Sequence, residues 1–212
     1  MQPDRAGAWL AAYDRRHQVL RTVYEPTRVL VEGADGELAE CVPPFPPLSE
    51  VGAHPGLAAG PLLAHLERER VVGVLLARLG GYAAGVFRGG QLLAAKVGTR
   101  PVHGRSAAGG RSQQRFARRR ELQASRALEA AADNAAGVLL PRLAELEWVV
   151  LGGDRRAIAR LGDDRRLAPL FARATDRFLS VPDPRLAVLR GAPALYRSLR
   201  VRVVEPSGQG PA

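Results

Sequence analysis

Residues Val71–Val97 read VVGVLLARLGGYAAGVFRGGQLLAAKV, and this stretch decides the fold. Its first part, Val71–Leu79, is a continuous apolar run of strand length. Tyr82–Phe87 and Leu92–Val97 are two further strands, and Arg88-Gly-Gly-Gln91 has the composition of the turn that joins them. The stretch therefore predicts three consecutive strands, of which the last two form a hairpin.

Downstream of the hairpin, helical and strand patterns alternate. In chain order we predict a helix at Arg115–Leu139, a strand at Trp148–Leu151, helices at Arg155–Leu161 and Leu167–Ala174, a strand at Arg177–Val181, a helical turn at Ala194–Leu199 and a strand at Val201–Val204. Strands that alternate with helices pack as a sheet covered by helices. The fold class predicted is therefore α/β, with a mixed β-sheet flanked by helices.

Upstream of Val71 the patterns predict a smaller structure. Ala6–Val23 has apolar residues at helical spacing, and the runs Val29–Val31 and Leu38–Val42 flank a turn and predict a hairpin. The proline-rich run Val42–Leu48 can be neither helix nor central strand, and we expect it to be a rigid connector. A short helix at Leu62–Arg70 follows.

A length of 212 residues suits one domain with a small appendage. We place the appendage (N-terminal helix, hairpin and connector) at residues 1–60, the main domain at 61–205 and a flexible tail at 206–212.

The composition excludes several classes of protein. The single cysteine, Cys41, allows neither an internal disulfide nor a cysteine-based zinc cluster. The polar start Met1-Gln-Pro-Asp-Arg5 is not that of a secretory signal, and apolar windows such as Val71–Ala77 are too short to span a bilayer. We therefore expect a cytoplasmic protein that does not insert into membranes.

Most of the net charge lies in one segment. The chain has a formal charge of +10, and +7 of it falls in the 27 residues from Arg100 to Arg126, where eight arginines face one acid, Glu121. The eight are Arg100, Arg105, Arg111, Arg115, Arg118, Arg119, Arg120 and Arg126. We call residues 100–126 the basic segment. Clustered arginines repel one another and match phosphate oxygens, so the segment predicts RNA or DNA binding.

The centre of the basic segment carries a motif, Gly109-Gly110-Arg111-Ser112-Gln113-Gln114-Arg115-Phe-Ala-Arg-Arg-Arg120, preceded upstream by Lys96-Val-Gly-Thr-Arg100. The string resembles the catalytic loop of the bacterial branch of the Vms-like release factor (VLRF) family. These are peptidyl-tRNA hydrolases of ribosome quality control, similar to the middle domain of eukaryotic-type class I release factors. The family signature Gly-x-x-Gln is matched by Gly110-Arg-Ser-Gln113. The resemblance covers roughly Val71–Val181.

The resemblance implies a release-factor-like, RNase H-like domain that cleaves the peptide–tRNA ester on stalled large ribosomal subunits. It assigns catalysis to Gln113 with Gly110 and Ser112, places Gly109 and Gln114 in the same loop, and implies that no metal or cofactor takes part. The eight arginines and Lys96 would bind tRNA and large-subunit RNA. Gln113 is favoured over its neighbour Gln114 by its spacing from Gly110. A glutamine amide does not titrate at neutral pH, but it can orient a water and donate to an oxyanion.

Two other function classes stay open at this point. One is an RNA-binding factor without catalysis that occupies ribosomal subunits through the same arginines. The other is a metal-dependent nuclease, for which Asp154, Asp163 and Asp164 would be the ligands. Their positions near helix starts favour capping instead. The four histidines, His17, His54, His65 and His103, have no second ligand at metal spacing, which favours structural roles.

Overall fold

The computed structural model describes residues 1–78, 81–99 and 112–204, and of residues 112–120 it describes the backbone. The chain forms two compact units. The first combines Met1–Arg68 with Tyr196–Ala212, and the second is Glu69–Leu195.

The first unit contains, within the described residues, a five-stranded antiparallel sheet in the order β4-β1-β2-β3-β9. Its elements are α1 (Pro3–His17), β1 (Val19–Glu25), β2 (Arg28–Gly33), β3 (Leu38–Val42), β4 (Gly52–Pro55), α2 (Gly60–Glu67) and, near the end of the chain, β9 (Arg200–Val204). Val29 and Val31 are buried in one core with Leu10 of α1, because alternate residues of a strand face the same side. The predicted hairpin is thus confirmed.

The predicted helix Ala6–Val23 is too long, because α1 ends at His17. Gln18 adopts a left-handed conformation with φ 49°, and the carboxylate of Asp14 accepts a hydrogen bond of 3.0 Å from the Val19 amide. Residues from Val19 onward then pair with β2 as a strand. Local capping therefore ends the helix, although the apolar spacing continues.

The proline-rich connector lies inside the first unit and does not mark its end. Phe45 and Leu48 are both buried, and the ring of Phe45 meets that of Tyr196 edge-on at 5.9 Å between centroids. The connector leads to β4, which was not predicted because glycine and proline are rare in strands. β4 forms all the same at the sheet edge, where it pairs with β1.

The compact units end elsewhere than the predicted segments 1–60 and 61–205. The structure divides the chain after Arg68 and after Leu195. Strand β9 accounts for the difference at the C-terminal end, because all five of its residues pair with β3 across more than 150 positions of sequence. The predicted tail, 206–212, lies outside the described residues.

The second unit is the predicted α/β domain. Its elements are β5 (Val71–Arg78), β6 (Gly81–Arg88), β7 (Gln91–Thr99), α3 (Ser112–Leu139), β8 (Trp148–Gly153), α4 (Arg155–Gly162), α5 (Ala168–Phe171) and α6 (Leu186–Tyr196). In the described part of the chain its sheet has the order β7-β6-β5-β8, with β8 parallel to β5 and the other pairs antiparallel. The mixed sheet and the hairpin are both confirmed.

Strand β6 is covered on both faces. Ala84 and Val86 share a core with Ala131 and other residues of α3. The opposite face of β6 meets α6, since a Cβ added at Gly85 would lie 3.0 Å from Leu189. The sequence of a strand that is buried on both faces is a continuous apolar run. This explains why apolar and polar residues alternate imperfectly in Tyr82–Phe87.

Three predicted elements of the second unit differ from the structure. The helix Leu167–Ala174 is a 3-10 turn, Arg165–Leu167, followed by the four-residue α5. The strand Arg177–Val181 meets β8 through an isolated bridge between Leu179 and Gly152. The helical turn at Ala194–Leu199 is the end of α6, which begins at Leu186 and continues through Pro193.

The turn between β2 and β3 gives a test of the first unit's electrostatics. Asp35 Oδ2 lies 2.7 Å from His17 Nδ1, and this hydrogen bond, with one from the Glu37 amide, lowers the pKa of Asp35. A carboxyl whose pKa is lower in the folded state stabilises that state above its unfolded pKa of about 3.9, and the contribution is lost as the pH falls from there through the lower folded-state pKa.

We therefore expect Asp35→Asn to lower the free energy of unfolding at pH 7 and to flatten its pH dependence between about pH 5 and pH 3. Urea unfolding followed by Trp9 fluorescence in a Trp148→Phe background measures this for the first unit. Asp133→Asn, in the second unit, is the control. An unchanged pH profile in Asp35→Asn would contradict the assigned contact.

Candidate nucleic-acid interface

The structure locates only part of the predicted site. Arg100, Arg105, Gly109, Gly110 and Arg111 lie outside the described residues. Seven predicted residues occupy the start of α3, for which the backbone is described: Ser112, Gln113, Gln114, Arg115, Arg118, Arg119 and Arg120. Lys96 and Arg126 are described completely.

Helix α3 begins at Ser112, three residues earlier than predicted. The predicted loop residues Ser112, Gln113 and Gln114 therefore form its first turn, because polar residues without an apolar period gave the sequence no helical signal. The amide groups of a first helical turn have no acceptors within the helix. Consecutive helix positions are about 100° apart around the axis, so positions 113 and 114 lie on different faces.

The start of α3 has an unusual charge pattern for a helix. Its first turn contains no acidic residue, and the first acid, Glu121, comes after four arginines. The amino end of a helix carries a partial positive charge, and each cation there costs about 0.3–1 kcal/mol at low ionic strength. An anion bound at this end would offset both the helix dipole and the mutual repulsion of the arginines.

Lys96 and Arg126 are both exposed, one on β7 and the other on α3. These two elements pack against each other. Lys96 and Arg126 therefore lie on packed elements of the same unit.

The end of β7 is held by a close contact across the hairpin. Gly98 pairs with Tyr82 of β6, and a Cβ added at Gly98 would overlap the tyrosine ring. The ring is nearly buried and lies where a side chain on β7 would otherwise stand. Glycine at this position therefore allows the close approach of β7 to the Tyr82 ring.

A cavity of about 290 Å³ lies between α3 and α4, and we call it the α3–α4 pocket. It is lined by Ala77, Arg78, Gly81, Tyr82, Ala124, Ala127, Leu128, Ala131, Asp154, Arg156, Ala157 and Arg160. Arg156 and Arg160 were not predicted as site residues from the sequence. Their spacing of four residues, which puts both on one face of a helix, was the available signal.

The three aspartates considered as nuclease ligands do not form a metal centre. Asp154 accepts a hydrogen bond of 2.9 Å from the Ala157 amide, and Asp164 accepts one of 2.9 Å from the Arg166 amide. The Arg166 side chain also lowers the pKa of Asp164. The prediction of capping at helix starts is confirmed for Asp154 and Asp164 and is wrong for Asp163, which follows the carboxyl end of α4. Nowhere in residues 1–78, 81–99 and 112–204 do three histidine, cysteine or acidic side chains gather as a metal site.

Three of the histidines have structural partners, and one of them, His54, has its Nε2 3.0 Å from the Glu50 carboxylate. His17 lies between Asp35 and Glu37, with its Nε2 3.1 Å from the Glu37 carboxylate. His65 Nε2 is 2.8 Å from the carbonyl oxygen of Pro44. His103 lies outside the described residues.

Among the helices that the structure describes, none has both the length and the apolar character that crossing a membrane requires.

One protein family matches this chain. The model of the actinobacterial and chloroflexi VLRF1 release factor matches residues 70–202. No curated protein matches the sequence.

Solved structures give weaker likenesses. The archaeal translation termination factor aRF1 is 15% identical with a TM-score of 0.48, over 79% of this chain and 51% of that one. Archaeoglobus fulgidus Pelota is 10% identical with a TM-score of 0.30, over 80% and 52% of the two chains. Saccharomyces cerevisiae Dom34, a translation termination-like factor, is 7% identical with a TM-score of 0.34, over 89% and 61%. The chain thus matches half to three-fifths of these proteins, and no TM-score reaches 0.5.

The contact between Gly98 and Tyr82 predicts opposite effects for two glycine substitutions. Gly98→Ala should lower the free energy of unfolding by about 1–3 kcal/mol, because its methyl group overlaps the ring. Gly137→Ala, in α3 with open space around it, should raise it by about 0.5–1 kcal/mol. Urea unfolding followed by Trp148 fluorescence, in a Trp9→Phe background, measures both.

Truncating the ring should relieve the overlap. Gly98→Ala should therefore cost less in a Tyr82→Leu background than in the wild-type background. Equal costs in the two backgrounds would show that the contact does not constrain β7.

Proposed function

The chain belongs to the actinobacterial and chloroflexi VLRF1 release factor family, and we propose that it hydrolyses the ester between peptide and tRNA on stalled large ribosomal subunits. Two features of this chain support the proposal. One is the Gly110-x-x-Gln113 string, and the other is its place beside the arginine-rich start of α3. The second feature carries the proposal, because it joins a residue that can position water to a surface that attracts RNA. Such a protein would work in the cytoplasm.

Gln113 is the residue that we place at the reaction. The carbonyl of its amide can accept a hydrogen bond from the attacking water, and its NH₂ can donate to the oxyanion that forms on the ester carbon. Neither role needs a group that titrates or a metal ion. The unpaired amides of the first turn of α3 would add donors to the same developing negative charge.

Gly110 and Ser112 are assigned to the approach rather than to the chemistry. Gly110, like Gly109 before it, has no Cβ, which lets the backbone pass close to RNA where a larger residue would collide. Ser112 opens the helix one position before Gln113 and so determines where Gln113 stands. Gln114, on a different face of α3, would not contact the ester.

The arginines and Lys96 would bring the site to its substrate. Phosphates of the tRNA acceptor stem and of large-subunit RNA are the anions that these side chains would neutralise. Arginine forks bind phosphate oxygens in pairs, which holds orientation as well as charge. Binding of this kind would also reduce the repulsion within the basic segment.

The first test addresses the chemistry. Gln113→Ala should slow single-turnover release of peptide from tRNA on large subunits by about 10²-fold or more, with subunit affinity almost unchanged. Alanine is the best helix former, so α3 should persist in the variant. Gln114→Ala is the matched control and should cost much less.

Gln113→Glu then separates the two roles of the amide, because it keeps an acceptor but removes the donor NH₂. If the glutamate variant is as slow as the alanine variant, donation to the oxyanion matters. Loss of release in Gln114→Ala alone would shift the catalytic position by one residue. Normal release in all three variants would show that neither glutamine is the catalytic residue, whereas subunit binding without release by the wild type would leave a non-catalytic RNA-binding factor as the better account.

The second test addresses the arginines. If about five of the eight clustered arginines neutralise phosphates, log affinity for large subunits should fall with log salt at a slope of roughly −3 to −5. Replacing Arg118, Arg119 and Arg120 by alanine should flatten the slope by about 2–3. Replacing the exposed Arg165, Arg185 and Arg190 removes the same charge elsewhere on the unit and should change it little. Equal slopes in the two triple variants would place the RNA contact outside the basic segment.

A further inference from the structure

The α3–α4 pocket shares one lining residue, Ala124, with the basic segment, and its other lining residues lie outside that segment. Asp154 and Arg156 belong to the amino end of α4, directly after β8, while Ala77 and Arg78 end the parallel neighbour β5. Ligands of α/β proteins bind preferentially at the carboxyl ends of parallel strands. The pocket has that position.

The pocket exists because its walls are made of small side chains. Ala124, Ala127 and Ala131 lie on one face of α3, and Ala157 and Ala77 face them from α4 and β5. Protein interiors are normally filled to crystal-like density, so five alanines around one space leave room that larger residues would occupy. Alanine has no side-chain rotamers to lose, so these walls stay in place when a ligand enters.

The size of the cavity limits what it can hold. At about 290 Å³ it is at the lower end of the range for small-molecule sites, which suits one flat ring system with its substituents. Tyr82 and Leu128 add apolar surface to the alanine walls. A planar, partly apolar group is therefore the part of a ligand that would enter.

The rim of the pocket attracts anions. It carries three arginines, Arg78, Arg156 and Arg160, against one carboxylate, that of Asp154. The carboxylate is engaged by the Ala157 amide at 2.9 Å. Arg156 and Arg160 are both exposed, and they are one turn apart on the same face of α4.

The other arginines near this end of the unit are engaged, which sets these two apart. Arg78 donates to the Val181 carbonyl oxygen at 3.0 Å, and Arg155 stacks on the ring of Phe178 at 4.3 Å. Arg166 pairs with Asp133 and Asp164. Within the part of the chain that the structure describes, Arg156 and Arg160 have neither an ion pair nor a hydrogen bond from the side chain. Their guanidinium groups are available to an anion.

We propose that the α3–α4 pocket binds one nucleotide of single-stranded RNA, with its base between α3 and α4 and its phosphate on Arg156 and Arg160. A nucleotide unites a flat ring system with an anion in one unit, which is the combination that the walls and rim accept. The inference rests on the proposed function for the presence of RNA. It adds a contact that reads an unpaired nucleotide, whereas the basic segment would follow phosphates.

Continuity along α3 supports RNA as the source of the nucleotide. Ala124 is one helical turn beyond Arg120, the last arginine of the triplet, and Arg126 lies within the pocket-lining stretch of the helix. A strand of RNA bound by the start of α3 therefore needs to extend by about one helical pitch, roughly 5 Å, to reach the pocket. A negatively charged polypeptide could also pair with arginines, but it has no flat ring to place between the alanines at every position.

The test measures binding of a short fluorescent single-stranded RNA by anisotropy at several salt concentrations. Arg156→Ala/Arg160→Ala should weaken binding by about tenfold or more and reduce the log–log salt slope by about 0.7, because one phosphate is no longer neutralised. Ala124→Leu, which fills the pocket from a partly exposed position, should weaken binding by about fivefold or more with the slope unchanged.

The control is Arg185→Ala/Arg190→Ala. It removes the exposed Arg185, directly before α6, and the exposed Arg190, within α6, and this helix lies on the opposite face of β6. It should bind RNA like the wild type. If Arg156→Ala/Arg160→Ala and Ala124→Leu also bind RNA as tightly as the wild type does, the proposal is overturned.

Two competitors separate the sources of the ligand. AMP that saturates the pocket without displacing RNA would identify a free nucleotide as the occupant and overturn the proposal. Polyglutamate is the second competitor. If the same two variants weaken polyglutamate binding more than they weaken RNA binding, the occupant is an acidic polypeptide instead. The assay contains no peptidyl-tRNA ester, so its failure leaves the result for Gln113 untouched, and a loss of release in the Gln113 variants leaves this result untouched.

Discussion

The packing of α3 on strand β6 is the constraint on which the second unit depends. Ala84 and Val86 of β6 share a core with the alanine face of α3, and α6 covers the other side of the strand. Because β7 also pairs with β6, one strand holds both β7, as far as Thr99, and the alanine-rich part of α3. The twelve residues between Thr99 and Ser112 join these two elements, and they carry the Gly-Gly-Arg part of the motif.

The chain combines this fixed scaffold with a concentrated positive charge. A charge of +7 in 27 residues, beginning where β7 ends and continuing along the first half of α3, costs stability in the free protein through repulsion and through the helix dipole. The alanine face of α3 supplies the compensating stability, through strong helix propensity and through burial against the sheet. The carboxyl half of the helix can therefore hold in place an amino half whose charges suit an anionic partner.

The sequence predicted those elements whose signal is local. The apolar runs of β5, β6 and β8 and the turn at Arg88–Gln91 define the mixed sheet directly. Other features depend on contacts that no local pattern carries. The left-handed Gln18 ends α1 within an apolar period that continues to Val23, and β9 joins a sheet formed from the other end of the chain. The α3–α4 pocket was not predicted because alanines form much of its walls. In a sequence, alanines indicate a helix and give no sign of a binding site.

The candidate site was predictable in composition but not in conformation. The sequence itself shows the eight arginines and the Gly110-x-x-Gln113 string. It does not show that α3 starts at Ser112, because Ser112, Gln113 and Gln114 are polar and give no apolar pattern with helical spacing. That start matters chemically, because it gives Gln113 a helical position next to amides without intrahelical partners. The family match shows that the chain belongs to a release factor family, and ester hydrolysis is the reaction that we propose for this arrangement.

One measurement tests the central claim most directly. Wild-type protein is added to isolated large ribosomal subunits that hold a labelled peptidyl-tRNA, and the peptide and the tRNA are followed separately. The account predicts that free peptide appears while the tRNA stays full length, because the ester is the bond that breaks. Binding to the subunits without release of peptide, or release that comes with cleavage of the tRNA, would contradict it.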